Sequence, residues 1–294
     1  MDASDLRVFE AVARCGGMSR AAADLYTVQS NVTARIRALE DELGEPLFRR
    51  HSRGVDLTDA GARLLPYAHR IAALLGEAAA AARDDGTPRG ALVLGSLETT
   101  AALHLSPVLA GYARAFPGVD LTLRTGTTAE MVAAVLARRV EGAFVCGPVA
   151  HPDLVGQPVF RERLALLTAP SVHSPEALAD RRDLRIVVLR AGCSYRQRLE
   201  AILAARGAVG YRMLEFGTLE AIFGAVAAGL GVTLLPRGLI GPVWQDGRVA
   251  VHDLPAAEAA VETVFVRRAD TRLSSALAAF LERARPERRA AAAE

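Results

Sequence analysis

Two groups of residues in this 294-residue chain have types and spacings that suit chemistry. The first occupies QSNVTARIR, residues 29–37, and FRRHSRG, residues 48–54. Gln29, Ser30, Asn31 and Thr33 carry short amide and hydroxyl groups of the kind that read base edges in a DNA major groove. Arg37 in the first run, and Arg49, Arg50 and Arg53 in the second, suit phosphate oxygens. The second group consists of hydroxyl residues that follow strand-like runs: Thr99-Thr100 after ALVLGS, Thr127-Thr128 after DLTLRT, Ser194 shortly after RIVVLR, and Thr218 after MLEFG. A helix starting at each would aim unpaired N–H groups and a partial positive charge at a shared crevice, which suits a small organic anion. The same hydroxyls also serve as ordinary N-caps, and the two roles are compatible. Arg196, in GCSYR, is either a clamp for a carboxylate or a solvated side chain. Cys146, in AFVCG, ends another strand-like run. With Cys193 it is a candidate redox pair, although such a cysteine more often packs as a small apolar group.

These residues need particular elements to position them. Val32, Ile36, Leu39 and Leu43 recur at helical spacing and define a buried face. At about 100° per residue, Ser30, Ala34 and Arg37 point away from it, with Asn31 and Thr33 on the flanks. Leu6, Phe9, Val12 and Ala13 form the matching face of a preceding helix, and Ala21, Ala22 and Leu25 that of a short helix between. Small Ala side chains there let two helices approach closely. Alone, this is equally the pattern of a helical hairpin in a bundle. The next segment, PLFRRHSRGVDLT, reads as a two-stranded hairpin with a basic tip, the form of a wing lying along DNA. The basic character is local, since residues 1–60 hold eight Arg against ten Asp and Glu. Glu40, Asp41, Glu42 and Glu45 fall beyond the reading end of the helix. Residues 58–83 form one long helix with Leu64, Leu65, Ala68, Ile71, Ala72 and Leu75 in a stripe. DDGTPRG, residues 84–90, breaks the pattern. After it, strands and helices alternate, as in parallel α/β architecture.

Composition excludes several classes. All 35 basic residues are Arg, and the net charge is only +2. The N-terminus is acidic and lacks the apolar core of a signal peptide. The longest run without a charge, residues 221–236, is 16 residues, short of the roughly 20 of a membrane span. The reading is a soluble, cytoplasmic protein with no membrane partner. Three widely spaced cysteines give no zinc pattern, and no metal or cofactor is expected. No phosphate-binding loop, HExxH or nucleophile elbow is present, so no catalytic residue is assigned and the chain is read as a non-enzyme.

The stretch GGMSRAAADLYTVQSNVTARIRALEDELGEPLFRRHSRGVDLTDAG, residues 16–61, resembles the winged helix-turn-helix of LysR-type transcriptional regulators. The remainder is similar to that family's effector-binding region, folded like a type II periplasmic binding protein, with GTLEAIFGAVAAGLGVTLLP, residues 217–236, as its most recognisable segment. The fold expected is α/β with an N-terminal all-α winged helix-turn-helix, and two α/β subdomains around a cleft. The domains expected are 1–58 for DNA binding, 59–88 for the linker and dimerisation helix, and 89–294 for effector binding. Within the last, subdomain I covers about 89–160 and 266–294, and subdomain II about 161–265. The resemblance implies a sequence-specific regulator of double-stranded promoter DNA, with base contacts at Gln29, Ser30 and Thr33 and phosphate contacts at Arg35, Arg37 and the wing arginines. It implies a small-molecule effector, dimers that pair into tetramers, and contact with RNA polymerase. Two positions depart from the family's habit: Val28 stands where many members have a capping Ser, leaving Thr27 to cap, and Ala34 where many have Arg. The rival readings are a redox-controlled member of the family, and a solute-binding protein sharing the C-terminal fold.

Overall fold

The computed structural model describes every residue except 53, 179–182, 190–191, 209, 242–246 and 286–294. Arg53, the tip of the expected wing, therefore lies outside the described residues. The chain forms two compact units, Met1–Asp84 and Asp85–Glu294.

In the first unit, α1 (Ala3–Cys15), α2 (Met18–Asp24) and α3 (Gln29–Leu43) precede the hairpin β1 (Phe48–His51) and β2 (Gly54–Leu57) and the long helix α4 (Asp59–Arg83). Asp2 and Asp5 form a reciprocal capping box at the start of α1. Phe9 and Val12 of α1, Ala21 and Ala22 of α2, and Val32, Ile36 and Leu39 of α3 make the core, closed by Leu47, Phe48 and Ala68. The cap of α3 differs from expectation. Val28 occupies the N-cap with no side-chain bond to the helix. Thr27 does not cap; its hydroxyl accepts from Asn31 Nδ2 at 3.0 Å.

The wing is clamped to the helices by close backbone approaches. Val55 N–H donates to the Gly16 carbonyl at 3.2 Å, and a Cβ at Gly54 would lie 2.4 Å from that oxygen. Glu40, a residue set aside in the sequence as merely remote from DNA, accepts from the N–H groups of Leu47 and Phe48 at 2.7 and 3.2 Å and so fixes the wing's base. Thr58 caps α4 at Gly61 N–H, where a Cβ would meet the Leu47 carbonyl at 2.3 Å. Gly→Ala inside a helix normally stabilises by about 1 kcal/mol. Gly61→Ala is expected to do the opposite, destabilising by about 2 kcal/mol through overpacking against backbone; denaturant unfolding of the variant checks the sign.

The stripe on α4 is divided. Leu64, Leu65 and Ala68 pack on the helix-turn-helix core. Tyr67, Ile71, Leu74 and Leu75 remain exposed, at 60, 37, 51 and 48%.

The second unit contains β3 (Gly90–Ser96), a continuous helical run of α5 (Glu98–Thr100), a π-helical turn (Ala101–Leu105) and α6 (Ser106–Ala115), then β4 (Val119–Thr125), α7 (Thr128–Leu136) and β5 (Gly142–Cys146). The long strand β6 (Leu154–Thr168) leads to β7 (Arg185–Val188), α8 (Ser194–Ala205), β8 (Arg212–Glu215), α9 (Leu219–Ala227) and β9 (Thr233–Pro236). The chain returns through β10 (Ala250–Asp253), α10 (Ala256–Ala259) and β11 (Ala260–Arg268) to α11 (Ser275–Ala284). β3 is parallel to β4 and β5, and β7 to β8. These are the alternating segments of the sequence. The connecting strands correct the expectation of a parallel sheet, because β6 runs antiparallel to β9, β10 and β11, and β11 to β5.

β6 changes partner along its length and so joins two lobes. Residues 154–163 pair with β11, and residues 164–168 with β9 and β10. The first crossing falls between residues 163 and 164, and the second lies on β11. Thr263 to Arg267 of β11 already pair with β5 in the first lobe, so the change comes at residues 260–262. Leu94, Tyr112, Phe144, Phe265 and Phe280 fill one lobe; Leu166, Ile186, Leu199, Phe223 and Leu234 fill the other.

Candidate DNA interface and effector cleft

The start of α3 presents the expected reading residues. Gln29, Ser30, Asn31 and Arg37 are exposed, and Thr33 is half-buried on the flank. Gln29 Oε1 accepts from the Ser19 hydroxyl at 3.1 Å, so α2 orients the first reading side chain. Tyr26, in the turn before α3, has a left-handed backbone (φ 52°) and is 98% exposed. The sequence alone singles out neither Ser19 nor Tyr26 as an interface residue. Arg35 is turned away from this surface. It bonds to the Ser4 hydroxyl and lies 3.3 Å from Asp5, at the start of α1. On the wing, Phe48 points inward while Arg49 and Arg50 are exposed. His51 faces Asp56 at 3.3 Å.

In the second unit, a cavity of about 200 Å³ lies between the two lobes. Its wall includes Thr99, Thr127, Thr128, Cys146, Ser194 and Thr218, together with Glu98, Thr125, Cys193 and Tyr195. Two expected residues are elsewhere. Thr100 is fully buried outside the wall, its hydroxyl 3.5 Å from that of Thr263. Thr100 lies about 100° round the helix from Thr99, on the side packed towards Thr263. Arg196 pairs with Glu200 one turn along α8, at 3.1 Å, and the wall does not include it.

The helix starts are not equivalent. Thr127 caps α7 in a reciprocal box with Glu130, and Thr218 caps α9. Leu97 and Cys193, at the starts of α5 and α8, give no side-chain cap bond. The Thr99 and Tyr195 hydroxyls are buried and lack hydrogen-bond partners. The two lie near enough for Thr99 to favour ionised Tyr195 slightly, but without hydrogen-bond geometry; burial dominates and pushes the phenol well up. Among the described residues, bonds span the cleft from the Ser194 hydroxyl to the Thr128 hydroxyl at 3.0 Å, and from Leu219 N–H to Glu98 at 3.3 Å. Burial also raises the thiols of Cys146 and Cys193. That favours the thiol over the thiolate needed for oxidation. No group of three or more His, Cys, Asp or Glu among the described residues is placed to hold a metal ion. No helix of the described residues is long and apolar enough to cross a membrane.

Comparison with known proteins gives this arrangement a lineage. Residues 3–62 match the bacterial regulatory helix-turn-helix protein model of the lysR family, and residues 85–289 match the LysR substrate binding domain. The chain belongs to the LysR family. Within it, the HTH-type transcriptional regulator GltR of Bacillus subtilis (strain 168) is 44% identical over 94% of this chain and 93% of its own. YusT of the same organism is 43% identical over 96% of this chain and 95% of its own. The LysR-family chain is therefore a transcriptional regulator with a DNA-binding helix-turn-helix and a substrate-binding domain. Its fold is shared with full-length CbnR complexed with its target DNA, at a TM-score of 0.68 and 24% identity, covering 97% of this chain and 99% of the other.

Proposed function

We propose that this LysR-type regulator binds promoter DNA as a dimer and that a small carboxylate in the cleft sets its DNA affinity. Residues 1–58 bind DNA in this reading, 59–88 join and pair the subunits, and 89–294 bind the effector. Gln29, Ser30, Asn31 and Thr33 take the base edges; Arg37, Arg49, Arg50 and Arg53 take phosphates. Arg35, held by Asp5 and Ser4, braces α3 against α1 until DNA competes for it. The exposed stripe of α4 pairs with its copy in a second subunit, and further pairing gives the tetramer.

The observation that carries the effector reading is the uncapped helix start at Leu97 beside the unpartnered hydroxyl of Thr99. A buried polar group without a partner costs about 1–3 kcal/mol, and a bound carboxylate relieves that cost while accepting the free N–H groups. An effector that prefers one arrangement of the lobes changes DNA affinity through a coupling of about 1–3 kcal/mol. Screening carboxylate metabolites by thermal shift on the whole protein tests this. A ligand at a hundredfold excess over its Kd adds about 2.7 kcal/mol of stability. Thr99→Val, which keeps the shape but removes the hydroxyl, is expected to weaken that ligand by about tenfold to a hundredfold, the worth of a hydrogen bond to a charged group. Thr100→Val is expected to leave it bound. Equal effects from the two variants contradict the assignment.

A further inference from the structure

We infer that the occupant of the cleft is an α-amino acid, its ammonium group held by Glu98 and its carboxylate by the helix start next to it. This rests on the carboxylate reading above and adds a cation to the ligand. The starting point is the charge of the wall. Among the described residues that line the cavity, Glu98 is the only charged side chain. No Arg is among these described lining residues. The guanidinium that acts on Cys146, that of Arg198, is bound to the carbonyls of Glu258 and Ala260 at 3.2 and 2.7 Å. Below the wall, the Glu162 side chain is 5% exposed, has one oxygen without a partner and acts on both Cys146 and Tyr195. Its other oxygen meets His104 at 3.0 Å and the Thr263 hydroxyl at 3.3 Å.

A ligand carrying only negative charge would bring that charge beside Glu98. A ligand carrying only positive charge would leave the uncapped N–H groups of the helix start after Leu97 and the Thr99 hydroxyl unpaired. A ligand with both charges meets both demands. Glu98 and Thr99 are consecutive residues at one helix start, so the groups they engage lie a few ångströms apart. Charges on neighbouring positions of one carbon fit that spacing, whereas a chain separating amine from acid does not. Size agrees: the cavity of about 200 Å³ holds roughly seven waters at ~30 Å³ each, close to the heavy-atom count of a small or medium amino acid. The Glu98 carboxylate is lightly committed. It accepts a long bond, 3.3 Å, from Leu219 N–H across the cleft. An ammonium that draws on the same carboxylate therefore acts on a tie between the lobes, which links recognition to their arrangement.

The test titrates the whole protein with the twenty common L-amino acids by calorimetry. Each binder is then compared with the acid that lacks only its amino group, such as glutarate for L-glutamate or 4-methylpentanoate for L-leucine. The expected result is that at least one amino acid binds and that its des-amino partner binds about tenfold or more weakly, the loss of a charged hydrogen bond. Glu98→Gln keeps an acceptor for Leu219 N–H and removes the charge, and it is expected to shrink that preference to within about twofold. Retained binding of the des-amino acid shows that the variant is folded. A des-amino acid that binds as well as its amino acid, or an undiminished preference in Glu98→Gln, overturns the inference. If des-amino acids bind as tightly as their amino acids and Thr99→Val weakens both, the carboxylate reading stands while the zwitterion falls. If neither class binds, both fall.

Discussion

Ile71→Glu combined with Leu75→Glu is expected to give a monomer in light scattering and to lower operator affinity by about a thousandfold or more. The two side chains lie one turn apart on the exposed face of α4, flanked by Tyr67 and Leu74. Burying each apolar side chain of this kind is worth about 1.5–3 kcal/mol, and two carboxylates in a desolvated seam reverse that gain. A monomer presents one reading helix to one half-site, so its binding drops towards the non-specific level, which lies typically 10³-fold or more below specific binding. Leu64 is the wrong residue for this experiment, although the sequence stripe includes it. It packs on the helix-turn-helix core, so Leu64→Glu is expected to lower the melting temperature of the first unit. An Ile71, Leu75 double variant that stays dimeric with wild-type helicity places the subunit interface elsewhere.

Wing and helix variants are expected to fail in different ways. Arg49→Ala and Arg50→Ala each remove one phosphate contact, so each should flatten the slope of log affinity against log salt by about 0.9 and weaken binding to all sequences alike. Gln29→Ala and Thr33→Ala should leave the slope unchanged and cost about 1–3 kcal/mol at the matched base pair only. The structure adds a prediction of intermediate character. Ser19→Ala frees the Gln29 amide, and it should relax base preference less than Gln29→Ala does. Anisotropy titrations against operator and scrambled duplexes at several salt concentrations separate these classes. A wing variant that loses specificity while keeping its salt slope, or a Gln29 variant that loses both equally, contradicts the roles assigned.

The parts of this molecule that were legible in its sequence are those where one physical requirement repeats. Val32, Ile36 and Leu39 recur because one face of α3 must be buried, and Thr58 before a long apolar period marks the start of α4. Hydroxyls after strand-like runs located the cleft because a helix start there needs an acceptor. Where two requirements meet, the sequence is ambiguous. Thr99 and Thr100 read alike, and only helical geometry sends one to the cavity and the other to Thr263. Glu98 reads as an ordinary first-turn acid and Tyr195 as core, so both cavity residues were missed. Gly156 and Pro158 resemble breakers, yet they lie inside β6, whose pairing with β11 shifts register between Thr263 and Val264. The change of partner along β6 coincides with the passage from the mixed run ending at Arg163 to the fully buried LALLT, but an apolar run does not say which strand it pairs with. Arg35 is a phosphate candidate by resemblance to the family; its pairing with Asp5 depends on a helix thirty residues away in sequence.

The central claim is sequence-specific DNA recognition by two copies of α3 and its wing. Selection of genomic fragments by the purified whole chain, at about 0.15 M salt, tests it most directly. The expected result is a shared site with two related half-sites in inverted order, centred one helical turn of about 10 base pairs apart or a multiple of it. Fragments recovered with no common sequence, or with a single isolated half-site bound by a monomer, would contradict it.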